Sequence, residues 1–208
     1  MRSLYIATLA SLCVVTPAII QAAETSSPSE LVKKVADEVL DEIKHDTSLQ
    51  NDSAKLQAMV NTHIAPHFDF TRLTQLAMGR HWRTASPEQK TQLTEQFSRL
   101  LVRTYSNALV NYRNQEIEYL PIKSSASDKD VVVRTRVHGG GKAPVAVDYT
   151  LASTPNGWKT YDVTVAGVSL VTNYRDEFNA AIHDKGIDGL IALLKDKNSK
   201  PVVPKNPS

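Results

Sequence analysis

The chain has 208 residues, enough for one core-forming domain at ~150 residues per domain. Its 24 Lys and Arg against 22 Asp and Glu leave a formal charge of +2, which excludes an acidic tail and a polyanion binder driven by net charge alone. With 41% apolar and 22% charged residues, eight glycines and ten prolines, it is neither collagen-like nor low-complexity.

The N-terminus reads as a secretory signal peptide. Arg2 supplies a short positive region. Residues 4–15 form an apolar run broken only by Thr8 and Ser11, Pro17 ends any helix, and Ala22-Ala23 offers small residues for cleavage after either alanine. The run is too short for the ~20 apolar residues of a membrane span. Cys13, the single cysteine, lies inside this segment. Leu12 stands before it where a lipidation site would want a small residue. The mature chain is therefore expected to lack disulfides, a thiol nucleophile and thiolate metal sites. An exported chain with no later anchor is expected in a bacterial periplasm. The expected division is a signal peptide over residues 1–23, one domain over 24–196 and a flexible polar tail over 197–208, loose from about Lys195.

Helical spacing follows first. Ser27-Pro28-Ser29-Glu30 has the form of a capping box ahead of Leu31, Val32, Val35, Ala36, Val39, Leu40 and Ile43. A second helix starts near Asp52 and carries Leu56, Met59, Val60, His63 and Ile64 up to Pro66. Asp69 caps a third, with Phe70, Leu73, Leu76 and Ala77, and Gly79 ends it. Ser86-Pro87-Glu88-Gln89 opens the longest helix, whose stripe runs from Leu93 through Phe97, Leu100, Leu101, Tyr105, Ala108 and Leu109 to Tyr112.

From residue 116 the period falls to two. Ile117 and Tyr119, then Val131 to Val137 on odd positions, then Val145, Val147, Tyr149 and Leu151, then Tyr161, Val163 and Val165 alternate in four strands. Gly139-Gly140-Gly141 and Asn156-Gly157 mark turns, so the strands form an antiparallel meander. Helical spacing returns with Leu170, Val171, Tyr174, Phe178 and Ile182, and again with Ile187, Leu190, Ile191 and Leu194. The fold class is α+β, with the long helix across a twisted four-stranded antiparallel sheet and helices at both chain ends.

Catalytic motifs are sparse. No Gly-x-Ser-x-Gly frames a serine, and Ser169 after Gly167-Val168 reads as a helix cap. His63 and His67 have the spacing of zinc ligands, but Pro66 breaks the helix between them. Asp37, Glu38, Asp41 and Glu42 read as a solvated helix face. Arg72, Arg80 and Arg83 with Trp82 read as surface arginines and a packed tryptophan rather than a nucleic-acid patch. What remains is an apolar surplus on both the sheet and the helix facing it, which fits either a close-packed core or an apolar pocket.

Several runs together resemble the MlaC family of periplasmic phospholipid-binding proteins, also called the toluene-tolerance family. They are Asp69-Phe70, Leu76-Ala77-Met78-Gly79-Arg80-His81-Trp82-Arg83, Ala85-Ser86-Pro87-Glu88-Gln89 and Phe97. Leu101-Val102-Arg103-Thr104-Tyr105 and Leu109, then Gly157-Trp158-Lys159 with Tyr161-Asp162-Val163, follow. Gly167-Val168-Ser169-Leu170-Val171, Asn173-Tyr174-Arg175, Phe178 and Lys185-Gly186-Ile187-Asp188-Gly189-Leu190 complete them. The likeness covers about residues 28–196. Ala166 departs from it where the family leads one to expect glutamate.

The resemblance implies a cone-shaped lipid-binding fold and a carrier without enzymatic activity or cofactor. It would exchange glycerophospholipid with an inner-membrane ABC transporter complex and an outer-membrane lipoprotein–porin complex, keeping phospholipid out of the outer leaflet. The chain is expected to be a monomer, with no metal and no nucleic acid bound. A small periplasmic enzyme on a similar fold is the alternative, and it would need a buried Asp or His facing the cavity. Parity and helical spacing place the expected acyl pocket between the long helix and the odd-numbered sheet face. Its expected lining is Phe97, Leu101, Tyr105, Leu109, Val133, Val147, Tyr149, Tyr161 and Val163.

Overall fold

A computed structural model describes residues 27–110, 113–122, 128–139 and 141–200. The expected signal peptide with Cys13, and Tyr112 at the end of the long stripe, lie outside the described residues, as do residues 201–208.

Four helices come first: α1 (Pro28–His45), α2 (Ser53–His63), α3 (Phe70–Met78) and α4 (Pro87–Leu109). Their starts are local chemistry. The hydroxyls of Ser27 and Ser86 accept from the backbone N–H three residues on, and Glu30 and Gln89 reach back to close both capping boxes. Asp52 and Asp69 cap α2 and α3 through their carboxylates.

The strands are β1 (Glu116–Tyr119), β2 (Asp130–Gly139), β3 (Lys142–Thr154), β4 (Gly157–Val165) and β5 (Val168–Ser169). They pair antiparallel in the order β1-β2-β3-β4-β5. The fold is therefore α+β as expected, with five strands instead of four. The added β5 is two residues long, formed as the chain turns back over Ala166-Gly167 so that Val168 pairs with Val165. In the β3–β4 hairpin Thr154 pairs with Gly157, so Pro155 and Asn156 occupy the turn. Gly157 takes the positive φ of 88° there, a region costly for a side chain.

A β-bulge lies between β3 and β4. Thr150 pairs with Asp162 but Leu151 pairs with Thr160, leaving Tyr161 as the extra residue.

α5 (Leu170–Ser199) bends at Gly186, whose φ of 69° and ψ of −177° are not helical. The two predicted C-terminal segments are its two limbs. The helix runs to Ser199, past the point at Lys195 where polar sequence suggests a loose tail. Asn198 explains this extension, because its buried amide donates to the Gln96 carbonyl at 2.9 Å and to Gln96 Oε1 at 3.1 Å. Residues 197–199 are thus helical rather than loose.

The central core sits among α3, α4 and α5, where Leu73, Met78, Leu93, Phe97, Phe178 and Leu190 are fully buried. α5 is started by two side chains that accept from N–H groups of its first turn. Ser169 accepts from Thr172 N–H at 3.1 Å, and Asp162 accepts from Val171 N–H at 3.1 Å, from Ser169 Oγ at 2.6 Å and from its neighbour Val163 N–H at 2.9 Å. Ser169 is thus a helix cap. Asp162→Ala should lower unfolding free energy by about 1–3 kcal/mol, since it orphans donors at the helix start; urea denaturation of the purified chain checks this.

Candidate functional site

A cavity of about 300 Å³ lies between α1, the second half of α4 and the inner face of the sheet. α1 contributes Val35, Ala36 and Leu40, α4 contributes Leu101, Tyr105 and Leu109, and β3 and β4 contribute Val147, Tyr149 and Val163. Among the described residues no Asp, Glu, Lys or Arg lines it. The inner face is apolar because β2 alternates there: Val131, Val133 and Val137 are buried, while Arg134 and Arg136 point outward toward Asp148 and Glu118.

Ser106 and Tyr105 of the wall find their partners within the protein. Ser106 donates back to the Val102 carbonyl one turn earlier on α4. The hydroxyls of Tyr105 and Tyr174 are hydrogen-bonded together, and burial pushes both phenols above their ordinary pKa. Thr135 on the sheet, beside Val133 and Val137, donates to the Val147 carbonyl at 2.7 Å.

Of the nine expected lining residues, Leu101, Tyr105, Leu109, Val147, Tyr149 and Val163 stand in the cavity wall. Three stand elsewhere. Phe97 lies two turns before Tyr105 on the same stripe, but α5 covers α4 there. Its ring is fully buried with centroids 4.8 Å from both Tyr174 and Phe178. Val133 faces inward as its parity requires, yet it packs in a solid cluster with Val32 and Leu151. Tyr161 is the bulge residue, so alternation counted from Val163 fails at that position. Its ring lies 3.7 Å from the Arg72 guanidinium, which also pairs with Asp130 at 2.8 Å. The even-numbered Thr160 faces the cavity instead.

Sequence periodicity alone passes over the α1 wall and the turn at Ala65–His67. The α1 residues carry a helical stripe that is indistinguishable from core. His67 has no periodic neighbour to mark it, although it is the one imidazole in the wall. Its partner in the zinc-like spacing turns away: His63 Nε2 lies 3.0 Å from Glu42 and Nδ1 3.7 Å from Glu38, both on α1. Two members of the expected solvated acidic face therefore hold α2 to α1. Of the basic cluster, Arg72 is engaged as above and Trp82 has Lys90 5.6 Å from its ring. Among the described residues the site supplies an apolar volume with a single imidazole and no Asp, Glu, Lys or Arg, an arrangement suited to holding apolar groups.

Burial, and then the Lys159 charge, hold His67 below its ordinary pKa of 6.5. A group with a lowered folded pKa leaves the unfolded chain binding more protons. Stability should therefore fall as pH drops below about 6.5. The slope should flatten in His67→Gln, as read by denaturation across pH. The solid and hollow parts of the α4 stripe should also differ. Phe97→Ala should cost about 3–5 kcal/mol, whereas Leu109→Ala, already facing open volume, should cost clearly less. Denaturant midpoints of the two variants make the comparison.

The model of the family described as MlaC protein matches residues 33–196. The intermembrane phospholipid transport system binding protein MlaC of Haemophilus influenzae is 26% identical over 185 residues, covering 87% of this chain and 86% of that protein. The toluene tolerance protein ttg2D of Pseudomonas putida is 32% identical over 182 residues, 83% of each chain. Among solved structures, a phospholipid-binding protein from Ralstonia solanacearum in complex with a phospholipid is 41% identical. It covers 84% of this chain and 98% of its own, with a TM-score of 0.79.

Proposed function

The chain belongs to the MlaC family, and from that premise we propose that it is a periplasmic carrier that holds glycerophospholipid by its acyl chains. The observation that carries the reading is the cavity between α1, α4 and the sheet, whose described wall holds no Asp, Glu, Lys or Arg. The Haemophilus influenzae relative, named for phospholipid transport, and the phospholipid-bound structure of the Ralstonia solanacearum protein support it. Among the described residues no helix is long and apolar enough to cross a membrane.

The physical task explains the site. Two acyl chains carry about 30 methylenes, and exposing them at ~0.8 kcal/mol each would cost more than 20 kcal/mol. A lipid therefore crosses an aqueous space only inside a carrier. The pocket must be about as favourable as a bilayer and not far better, because a tighter hold would forbid release. Apolar contacts read chain volume rather than chemical identity, so no catalytic group or cofactor is needed and the lipid is cargo. The carrier receives and delivers that cargo at an inner-membrane ABC transporter complex, through its periplasmic substrate-receiving subunit, and at an outer-membrane lipoprotein–porin complex. This exchange maintains outer-membrane asymmetry.

The test is organic extraction of the exported, purified chain followed by lipid analysis. Glycerophospholipid is the expected product. Extracts without lipid, together with no uptake from labelled vesicles, would sink the reading. Val147→Glu and Leu101→Glu should abolish carriage, since a carboxylate in an acyl pocket is either desolvated or forced to protonate. Circular dichroism and lipid content on one sample separate loss of cargo from loss of fold, and the fold should survive in at least one of the two.

A further inference from the structure

A second hollow, of about 470 Å³, lies between the C-terminal end of α3, the turn that follows it and the first limb of α5. It shares no lining residue with the apolar cavity. Its wall is Gln75, Leu76, Gly79, Arg80, Arg175 and Asn179. Two guanidiniums and two amides therefore face it, and among the described residues no Asp or Glu does. Arg80 belongs to the basic run around Trp82, which the apolar cavity leaves without a role.

Arg175 is fixed in this wall. Its Nε and Nη2 both donate to the Leu76 carbonyl, at 3.1 and 3.0 Å, and so close the end of α3. That contact occupies one edge of the guanidinium. The other edge, with one N–H from each Nη, meets no acceptor among the described residues. Two parallel N–H groups on such an edge match the two oxygens of a carboxylate. The group is half-buried, so its charge is less screened than on an open surface. Arg80 is exposed and, unlike Arg72, Arg134 and Arg136, meets no carboxylate of the chain. Asn179, one turn beyond Arg175 on α5, and Gln75 on α3 add neutral N–H donors from both sides.

We infer that this hollow receives an acidic side chain, Glu or Asp, from a docking protein partner, with Arg175 taking the carboxylate in its fork and Arg80 supplying the second charge. The inference concerns a contact with another protein and does not depend on what fills the apolar cavity. The hollow is larger than an inorganic ion, and Leu76 and Gly79 give it apolar surface for the methylenes that carry a carboxylate. A membrane fits it less well. A phospholipid surface presents charge as a continuous layer, which would also press against Asp176, exposed beside Arg175 on α5. A single side chain reaching into a recess avoids that repulsion. Such a pair, half-buried and held by a fixed fork, sets the register of docking as well as its strength.

The experiment titrates the purified mature chain with a capped peptide Gly-Leu-Glu-Glu-Leu-Gly and with its Gln-Gln counterpart, following the Gly79 N–H and the Asn179 side-chain amide by NMR. The Glu peptide should shift both signals and bind about tenfold more tightly than the Gln peptide, the effect of one charge-assisted pair. Arg80→Gln and Arg175→Lys should each remove most of that difference, the second because an ammonium has no fork. If Arg175→Lys loosens the end of α3, Arg80→Gln still decides, since no hydrogen bond or ion pair within the described residues is lost with it. Lipid extracted from either variant should stay at the wild-type amount, and a loss would assign the hollow to the cargo and overturn the inference. Equal shifts with the two peptides, no shift with either, or full affinity in Arg80→Gln would overturn it as well. Inorganic phosphate binding as tightly as the Glu peptide would make this a free-anion site instead. Phosphatidylglycerol vesicles perturbing the two signals where the peptide does not would make it a membrane contact, and both results count against a protein partner.

Discussion

Apolar walls that face a volume of about 300 Å³ forgo the close packing and dispersion contacts of an ordinary core. On the scale of ~24 cal/mol per Å³ seen for buried voids, a closed one of this size would cost on the order of 7 kcal/mol. The rest of the molecule has to keep those walls from collapsing. It does so by separating solid from hollow along one helix. The first half of α4 is clamped by α3 and α5, with Phe97, Tyr174 and Phe178 meeting edge to face, and its second half projects from that anchor over the sheet. A second cluster, from Val39 to Val60, joins α1 to α2, and a third fixes the N-terminal turns of α1 to Val133 and Leu151.

The same constraint explains where the polar atoms go. A hydroxyl left unpaired in such a wall would cost desolvation and draw in water. Ser106 and Tyr105 in the wall, and Thr135 on the sheet, therefore find partners within the protein. The outer face of the sheet carries its charges instead, in exposed pairs such as Arg136 with Glu118 that add little stability but keep that face wetted. α1 is joined to its neighbours by a few polar contacts outside the cavity. His63 meets Glu42, and Lys33 lies 5.8 Å from the Tyr119 ring. One wall of the site is thus held at its edges while its apolar side faces the interior.

Local chemistry made most of the elements legible in advance. Capping boxes at Ser27 and Ser86, carboxylate caps at Asp52 and Asp69, and the switch from a period of 3.6 to 2 each depend only on residues within a few positions of one another. Parity identified the inner face of β2 and β3, and helical spacing found Leu101, Tyr105 and Leu109, because those side chains obey a regular repeat. The missing signs were all relational. β5 exists because Val168 meets Val165, and the last turn of α5 exists because Asn198 meets Gln96.

The amino-acid sequence by itself determined the helices, the meander, the apolar surplus and the kinship, since each is written in short-range pattern or in ordered motifs. Tertiary structure alone decided which parts of that surplus are hollow. Phe97 and Leu101 share one stripe and differ only in what covers them, α5 in one case and open volume in the other. Tyr161 and Thr160 exchange places because a single inserted residue at the bulge resets the alternation. Periodicity states which way a side chain points along its own element. Whether it meets another side chain or a space depends on partners far away in the chain, and no local repeat encodes that distance.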